Sequence, residues 1–396
     1  MNHLQEISLK LKSLSVFRNI LSDSVVASLL DLLDSFEKDI GTQIDSYGRF
    51  VYELYNHTEN LSEYILDKVC DDENVYIKSV AVGRDISDVL QKCTENELDI
   101  LSLAASLDSE TVKGYFDYSI FLPDWETSEL DFRKEYFERS DNIGKLGYGI
   151  YAKYCMFNVR DGKIVPVKHH DPIRLSELSG YKNERQAIID NTKALLSGKP
   201  AANILLSGDA GTGKSSTVKA VVNEFRSEGL RIIEVRKEQL VDIPLIIDEL
   251  SANPLKFILF IDDLSFNKTD DNFSALKAIL EGSVSAKSSN IAIYATSNRR
   301  HIVKESFEDR DNGDDIHRND TVQELLSLSE RFGLAITFVK PNKECYLDIV
   351  RNVALQHGID ADDEKLYSDA ERFALKKGGR SARVAKQFID GIISSR

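Results

Sequence analysis

The segment from Asn203 to Val222 constrains this chain more than any other. Asn203-Ile204-Leu205-Leu206-Ser207 is a short apolar run of strand type, followed by the glycine-rich turn Gly208-Asp209-Ala210-Gly211-Thr212-Gly213-Lys214-Ser215. Ser216-Thr217-Val218-Lys219-Ala220-Val221-Val222 then continues as a helix. A strand that feeds such a turn into a helix lets successive backbone N–H groups converge at the helix N-terminus, where an anion is already favoured. Side chains on the glycines would block that approach. The pattern predicts a phosphate-binding loop over Gly208, Asp209, Ala210, Gly211, Thr212, Gly213, Lys214, Ser215 and Ser216. In it Lys214 would bridge β- and γ-phosphate oxygens, and the Ser215 hydroxyl would join the coordination shell of Mg²⁺.

Around this loop the chain changes character twice. Up to about residue 140 apolar residues recur at three- and four-residue spacing, as in Leu29-Leu30-Leu32-Leu33-Phe36 and Ile100-Leu101-Leu103-Ala104-Leu107, which predicts helices. Phe50, Tyr52, Tyr55, Tyr115, Phe116, Tyr118 and Phe121 either pack in that core or line a binding surface. Asp161-Gly162, between Phe157-Asn158-Val159-Arg160 and Lys163-Ile164-Val165, is a two-residue hairpin signal. From Ile173 strands and helices alternate. Five strands are expected at Asn203–Ser207, Arg231–Val235, Phe257–Asp262, Ile291–Ser297 and Ala335–Val339, with crossovers suited to a parallel sheet. From Lys343 only helices are expected. The domain reading is a helical domain over 1–145, a hairpin-containing linker over 146–172, an α/β nucleotide-binding domain over 173–340 and a helical lid over 341–396.

Composition excludes some classes. A net charge of −15 speaks against general coating of nucleic acid, which depends on basic surface. Cys70, Cys93, Cys155 and Cys345 form no C-x-x-C pair, and the polar start offers neither an apolar signal core nor a bilayer-length run, so a cytoplasmic protein is expected. His169-His170-Asp171 is a weak metal signal, because neighbouring side chains on an extended segment point to opposite faces.

Further motifs complete the loop. Phe257-Ile258-Leu259-Phe260-Ile261 ends in Asp262-Asp263. Asp262 suits a magnesium site and Asp263 the orientation of an attacking water. Asn267-Lys268-Thr269-Asp270 has the spacing of a guanine-reading motif, but it follows the magnesium strand directly and no D-x-x-G glycine accompanies it. It reads as a charged loop. Asn298, closing the polar run Tyr294-Ala295-Thr296-Ser297-Asn298 at a strand end, could position the water. Arg331, before the last strand, could reach the γ-phosphate of a neighbouring subunit. Arg383, preferred to Arg380, opens a lid helix where it could report the nucleotide state.

These elements, in this order, resemble an AAA+ ATPase. The runs Ile173-Arg174-Leu175, Gly180-Tyr181, Asn191-Thr192, Asp262-Asp263-Leu264-Ser265-Phe266, Ala295-Thr296-Ser297-Asn298-Arg299-Arg300-His301 and Ser329-Glu330-Arg331-Phe332-Gly333-Leu334 are similar to the bacterial DUF815 family of predicted AAA+ ATPases. The resemblance implies an α/β core with a five-stranded parallel sheet covered by helices on both faces, a helical N-terminal domain and a small C-terminal lid. It further implies ATP and Mg²⁺ as ligands, Leu178, Gly180 and Tyr181 near the adenine, and a homo-oligomer with Arg331 as an arginine finger acting in trans. The expected role is remodelling or loading of an unknown protein or nucleoprotein partner. The alternative is a slowly hydrolysing switch that holds a partner through its N-terminal helices. Asp263 stands where AAA+ proteins usually carry glutamate and is one methylene shorter, which argues for slow or partner-dependent hydrolysis. Phe266 and Phe273 suit packing better than gripping a polypeptide. The charged insert Phe307 to Asp320 reads as a solvated or subunit-contact loop.

Overall fold

A computed structural model of the chain describes residues 2–117, 121–264, 271–281, 288–298, 330–359 and 364–395. The chain divides into two compact units, Met1–Lys153 and Tyr154–Arg396. The guanine-like motif, Phe266, the charged insert and Tyr118 lie outside the described residues, whereas Phe273 falls within the helix Asp271–Glu281.

The first unit is helical. Its longer helices are His3–Lys12, Ser24–Ser35, Ile40–Tyr55, Leu61–Asp71, Asp88–Ala105 and Phe132–Asp141. Local chemistry sets where they begin. Asn2, Asp23, Asp39, Asn60, Ser87 and Asp131 each accept from a backbone N–H in the first turn, satisfying donors the helix itself cannot. The three- and four-residue spacing then turns Leu29, Leu32, Leu33, Leu98, Leu101 and Ala104 into one buried core. The aromatics divide between the two roles the sequence left open. Phe50 is fully buried and Phe116 packs against the core, while Tyr52 and Phe121 are 65% and 87% exposed.

A buried carboxylate organises the turn after the first helix. Glu97, 3% exposed, accepts from the Ser15 N–H at 2.8 Å, the Ser15 hydroxyl at 2.6 Å and the Phe17 N–H at 3.0 Å. The Val16 N–H reaches both of its oxygens, at 3.0 and 3.1 Å. Burial alone would raise the Glu97 pKa, but these donors outweigh it and hold the carboxyl below the usual range.

The second unit is built on a seven-stranded sheet in the order β2-β1-β4-β5-β6-β3-β7. The strands are β1 (Met156–Arg160), β2 (Lys163–Pro166), β3 (Ile204–Gly208), β4 (Leu230–Glu234), β5 (Lys256–Ile261), β6 (Ile291–Ser297) and β7 (Leu334–Phe338). The five expected strands are all present and parallel, within a residue of their predicted starts. The hairpin adds two more. Asp161 and Gly162 both take positive φ, 50° and 70°, as a tight turn between twisted strands requires, and β1 pairs in parallel with β4. Sequence reading found this hairpin but not its attachment, because strand pairing at such separation leaves no local signal.

Both faces of the sheet are covered. On β5, Ile258 and Phe260 pack with the helices Lys182–Leu196 and Lys214–Phe225, whereas Phe257, Leu259 and Ile261 point to the opposite side and are equally buried, and the helix Ile243–Ser251 contacts the neighbouring strand β6. Three further helices, Lys343–Gln356, Glu364–Lys376 and Ala382–Ser394, share a separate small core around Tyr346, Ile349 and Phe388. The strand order sets β6 between the loop strand and the aspartate strand, and the three C-terminal helices follow the sheet, so the second unit is an α/β core in which the loop and the aspartate pair end neighbouring parallel strands.

Replacing Glu97 by glutamine keeps the shape but sets an NH₂ against N–H donors, so the first unit should lose about 2 kcal/mol and about 4–8 °C in melting temperature. Because the folded pKa is depressed, the carboxylate contributes stability above the unfolded glutamate pKa. That contribution is lost as pH falls through the folded value. Thermal unfolding followed from pH 7 into the acid range should therefore show a smaller acid-induced loss in Glu97→Gln than in wild type.

Candidate functional site

The glycines of the loop do what the sequence demanded of them. Gly208 has φ 134°, and a Cβ there would lie 2.0 Å from the Phe338 carbonyl oxygen on β7. Gly213, at φ 94°, opens the helix Lys214–Phe225, and a Cβ there would meet nothing within 4 Å. The first glycine permits close strand packing, and the second keeps the approach to the helix N-terminus clear.

Lys214 is 5% exposed. Its ammonium donates to the carbonyls of Gly208 at 2.9 Å and Asp209 at 2.8 Å, and to Asn298 Oδ1 at 3.1 Å. Burial lowers its pKa, while Asp209, Asp262 and Asp263 pull the other way. Asn298 in turn donates from Nδ2 to Asp263 Oδ1 at 2.6 Å. A second chain of bonds starts at Ser215, whose hydroxyl donates to Asp262 Oδ1 at 2.6 Å. The Thr296 hydroxyl donates to the same oxygen at 2.5 Å and accepts the Asp263 N–H at 2.9 Å. Asp262, Asp263, Asn298, Lys214 and Ser215 therefore meet at one sheet edge. Thr296 links them, and sequence reading passed over it. The available signal was its place at the end of a predicted strand, two residues before Asn298.

These groups border a cavity of about 990 Å³. Ala210 to Ser216 form its floor, while Gly208 and Asp209 contribute carbonyls to Lys214. Leu178 and Tyr181 also line it, as do Ile349 and Val353 of the C-terminal helices. Tyr181 has a left-handed backbone, φ 52°, and its hydroxyl donates to the Val339 carbonyl at 2.7 Å while its ring lies against Phe338. Gly180 contributes backbone, not wall: its carbonyl accepts from Arg185, and a side chain there would press on Cys345 and Ile349.

The lid reaches the loop directly. Arg383 borders the cavity together with Lys386, and its backbone N–H donates to the Gly211 carbonyl at 3.1 Å. Arg380 is engaged elsewhere, in a two-pronged ion pair with Glu371 at 2.9 and 2.7 Å. Arg331 is not brought to the cavity. It precedes β7, and since Gly208 is level with Phe338 and Ile204 with Leu334, it sits at the opposite edge of the sheet. Five residues of strand, about 16 Å, separate the two edges. His169, His170 and Asp171 assemble no metal cluster; among the described residues no group of three or more His, Cys, Asp or Glu side chains does so.

The donor set fits a nucleoside triphosphate with a hard divalent cation. The glycine-rich loop and the Lys214 ammonium border the cavity, with a hydroxyl and a carboxylate, both oxygen donors, beside them.

A family model described as a protein of unknown function, DUF815, matches residues 152–396. The chain belongs to the DUF815 family. Among solved structures it is similar to a point mutant of Thermotoga maritima RuvB, at 16% identity and a TM-score of 0.38. That match covers 55% of this DUF815 chain and 63% of the RuvB chain, so under two thirds of the latter is spanned. A comparison with curated proteins gave no match. No described helix is long and apolar enough to cross a membrane.

Alanine at Gly213 meets only the strain of positive φ, about 1–3 kcal/mol. At Gly208 it also collides with the β7 backbone, and the loss should exceed about 3 kcal/mol. Denaturant unfolding of the two variants in parallel checks the order.

Proposed function

We propose that this DUF815 protein binds ATP in the cavity and hydrolyses it with Mg²⁺. On this reading it acts as a homo-oligomer in which Arg331 of one subunit completes the site of the next, and lid movement remodels or loads a protein or nucleoprotein partner. The observation that carries the reading is the hydrogen-bonded set of Lys214, Ser215, Asp262, Asp263 and Asn298 along one cavity wall. Bound Mg²⁺ would polarise the phosphate oxygens and neutralise charge developing on them. Ser215 Oγ and an Asp262 oxygen would hold it.

The chain's own groups do the rest. Lys214 would exchange loop carbonyls for phosphate oxygens, trading neutral acceptors for charged ones, which strengthens each bond. Asp263 would orient the attacking water and take up its proton, while Asn298 fixes the direction of the carboxylate. Leu178, Tyr181, Ile349 and Val353 would enclose the base. Arg383, through its contact with the loop, would report the nucleotide to the lid. The place of Arg331 at the far sheet edge supports action on a neighbour instead of on its own site, since a side chain cannot span a strand length.

One observation favours the slower, switch-like alternative. Asp263 is one methylene short of glutamate and already bonded to Asn298 at 2.6 Å, so the water-orienting group is both shorter and engaged by a neighbour.

Lys214→Ala should abolish ATP binding in an equilibrium titration with a fluorescent analogue. Arg331→Ala should bind ATP as wild type does yet lose at least about 10³-fold in turnover. Mixing the two inactive variants decides the geometry. Recovery of activity in mixed oligomers is expected if Arg331 acts across subunits, and its absence would refute that role.

A further inference from the structure

Thr296 holds both aspartates at once. It lies on β6, between the strand that leads into the loop and the strand that ends in Asp262-Asp263, and it is 2% exposed. Its hydroxyl gives its one proton to Asp262 Oδ1 at 2.5 Å and accepts the Asp263 N–H at 2.9 Å; its carbonyl accepts the Leu264 N–H at 2.7 Å. Two consecutive amides are thereby fixed by one residue. Between them Asp263 adopts φ 54°, a left-handed conformation that a non-glycine residue keeps only when its surroundings enforce it. That turn directs the Asp263 carboxylate to Asn298. On its other side Thr296 shares Asp262 Oδ1 with the Ser215 hydroxyl, so the oxygen offered to a cation has its orientation set from both flanks.

We propose that Thr296 is a positioning residue whose hydroxyl couples the Mg²⁺-holding carboxylate of Asp262 to the left-handed turn at Asp263. The inference rests on the ATPase reading for the roles of the two aspartates, but the clamp itself consists only of the protein's own hydrogen bonds. A buried threonine hydroxyl often serves only its own strand; here the hydroxyl bonds to Asp262 and Asp263 both leave the strand and end on the aspartate pair.

Thr296→Val keeps volume and branching and removes the hydroxyl. In nucleotide-free protein the Asp263 amide should exchange with solvent about tenfold faster, with the melting temperature recorded to verify folding. The Mg²⁺ concentration at half-saturation of a fluorescent ATP analogue should rise about 10–100-fold, while Mg²⁺-free affinity for the analogue stays within about twofold. Turnover number should fall more than the KM for ATP rises. Thr296→Ser, which retains the hydroxyl, should restore all three readouts, and Thr296→Ala serves as the hydroxyl-free variant if valine does not fold.

Unchanged amide exchange and unchanged Mg²⁺ dependence in a folded hydroxyl-free variant would overturn the proposal. So would a serine variant as impaired as valine. A wild-type protein whose analogue binding ignores Mg²⁺ overturns the ATPase reading instead, and the amide-exchange comparison still decides whether the clamp exists.

Discussion

The geometry of the site follows from a single buried ammonium. Lys214 cannot keep its charge in a wall of protein unless polar atoms replace the water it has lost. Two of its three acceptors are carbonyls of the loop that precedes it, which curls the loop around the lysine, and the third is Asn298, the residue directly after β6. Because β6 separates β3 from β5, the same strand that solvates the lysine also supplies the bonds to Asp262 and Asp263. A phosphate placed in this loop replaces acceptors the lysine already has; it does not have to gather them. Most of the organisation cost is therefore met by folding, before any ligand arrives.

How much of this could be read in advance depended on whether the cause was local. The loop glycines, the five parallel strands and the lid helices are all dictated within a few residues by backbone freedom, β-branched runs and capping side chains, and they stand where the sequence puts them. Ser381, for example, accepts the Val384 N–H and so starts the last lid helix. What escaped was long-range. The attachment of the β1–β2 hairpin to β4, the contact of Tyr181 with the end of β7 and the bond from Arg383 to Gly211 each join segments with no shared local pattern. Thr296 escaped for a different reason. A threonine at a strand end has an ordinary explanation in strand propensity, and only the strand order reveals which carboxylates it reaches.

Glu97 in the first unit shows the same limit from the other side. In sequence it is one polar residue on a helix whose apolar face is plain. In the fold it stabilises a turn 80 residues away by accepting from successive N–H groups, a burial that would be destabilising without those donors. A charged residue at a core position is thus poor grounds for either a surface or a catalytic assignment until the backbone around it is known.

The lid contact gives the site a mechanical property that its residue list does not. The N–H of Arg383 is in the first turn of the helix Ala382–Ser394, where no carbonyl of the helix itself can accept it. Gly211 supplies one, and its own lack of a side chain makes the approach possible, since a Cβ there would lie 3.2 Å from both the Arg383 Cβ and the Ser381 hydroxyl. The bond joins main chain to main chain, so it survives any change of rotamer in Arg383 and breaks only when the lid or the loop peptide moves. A ligand that reorients the Gly211 peptide must therefore shift the lid helix or leave its N–H unpaired. The arginine side chain borders the same cavity, beside a linkage that the backbone already makes.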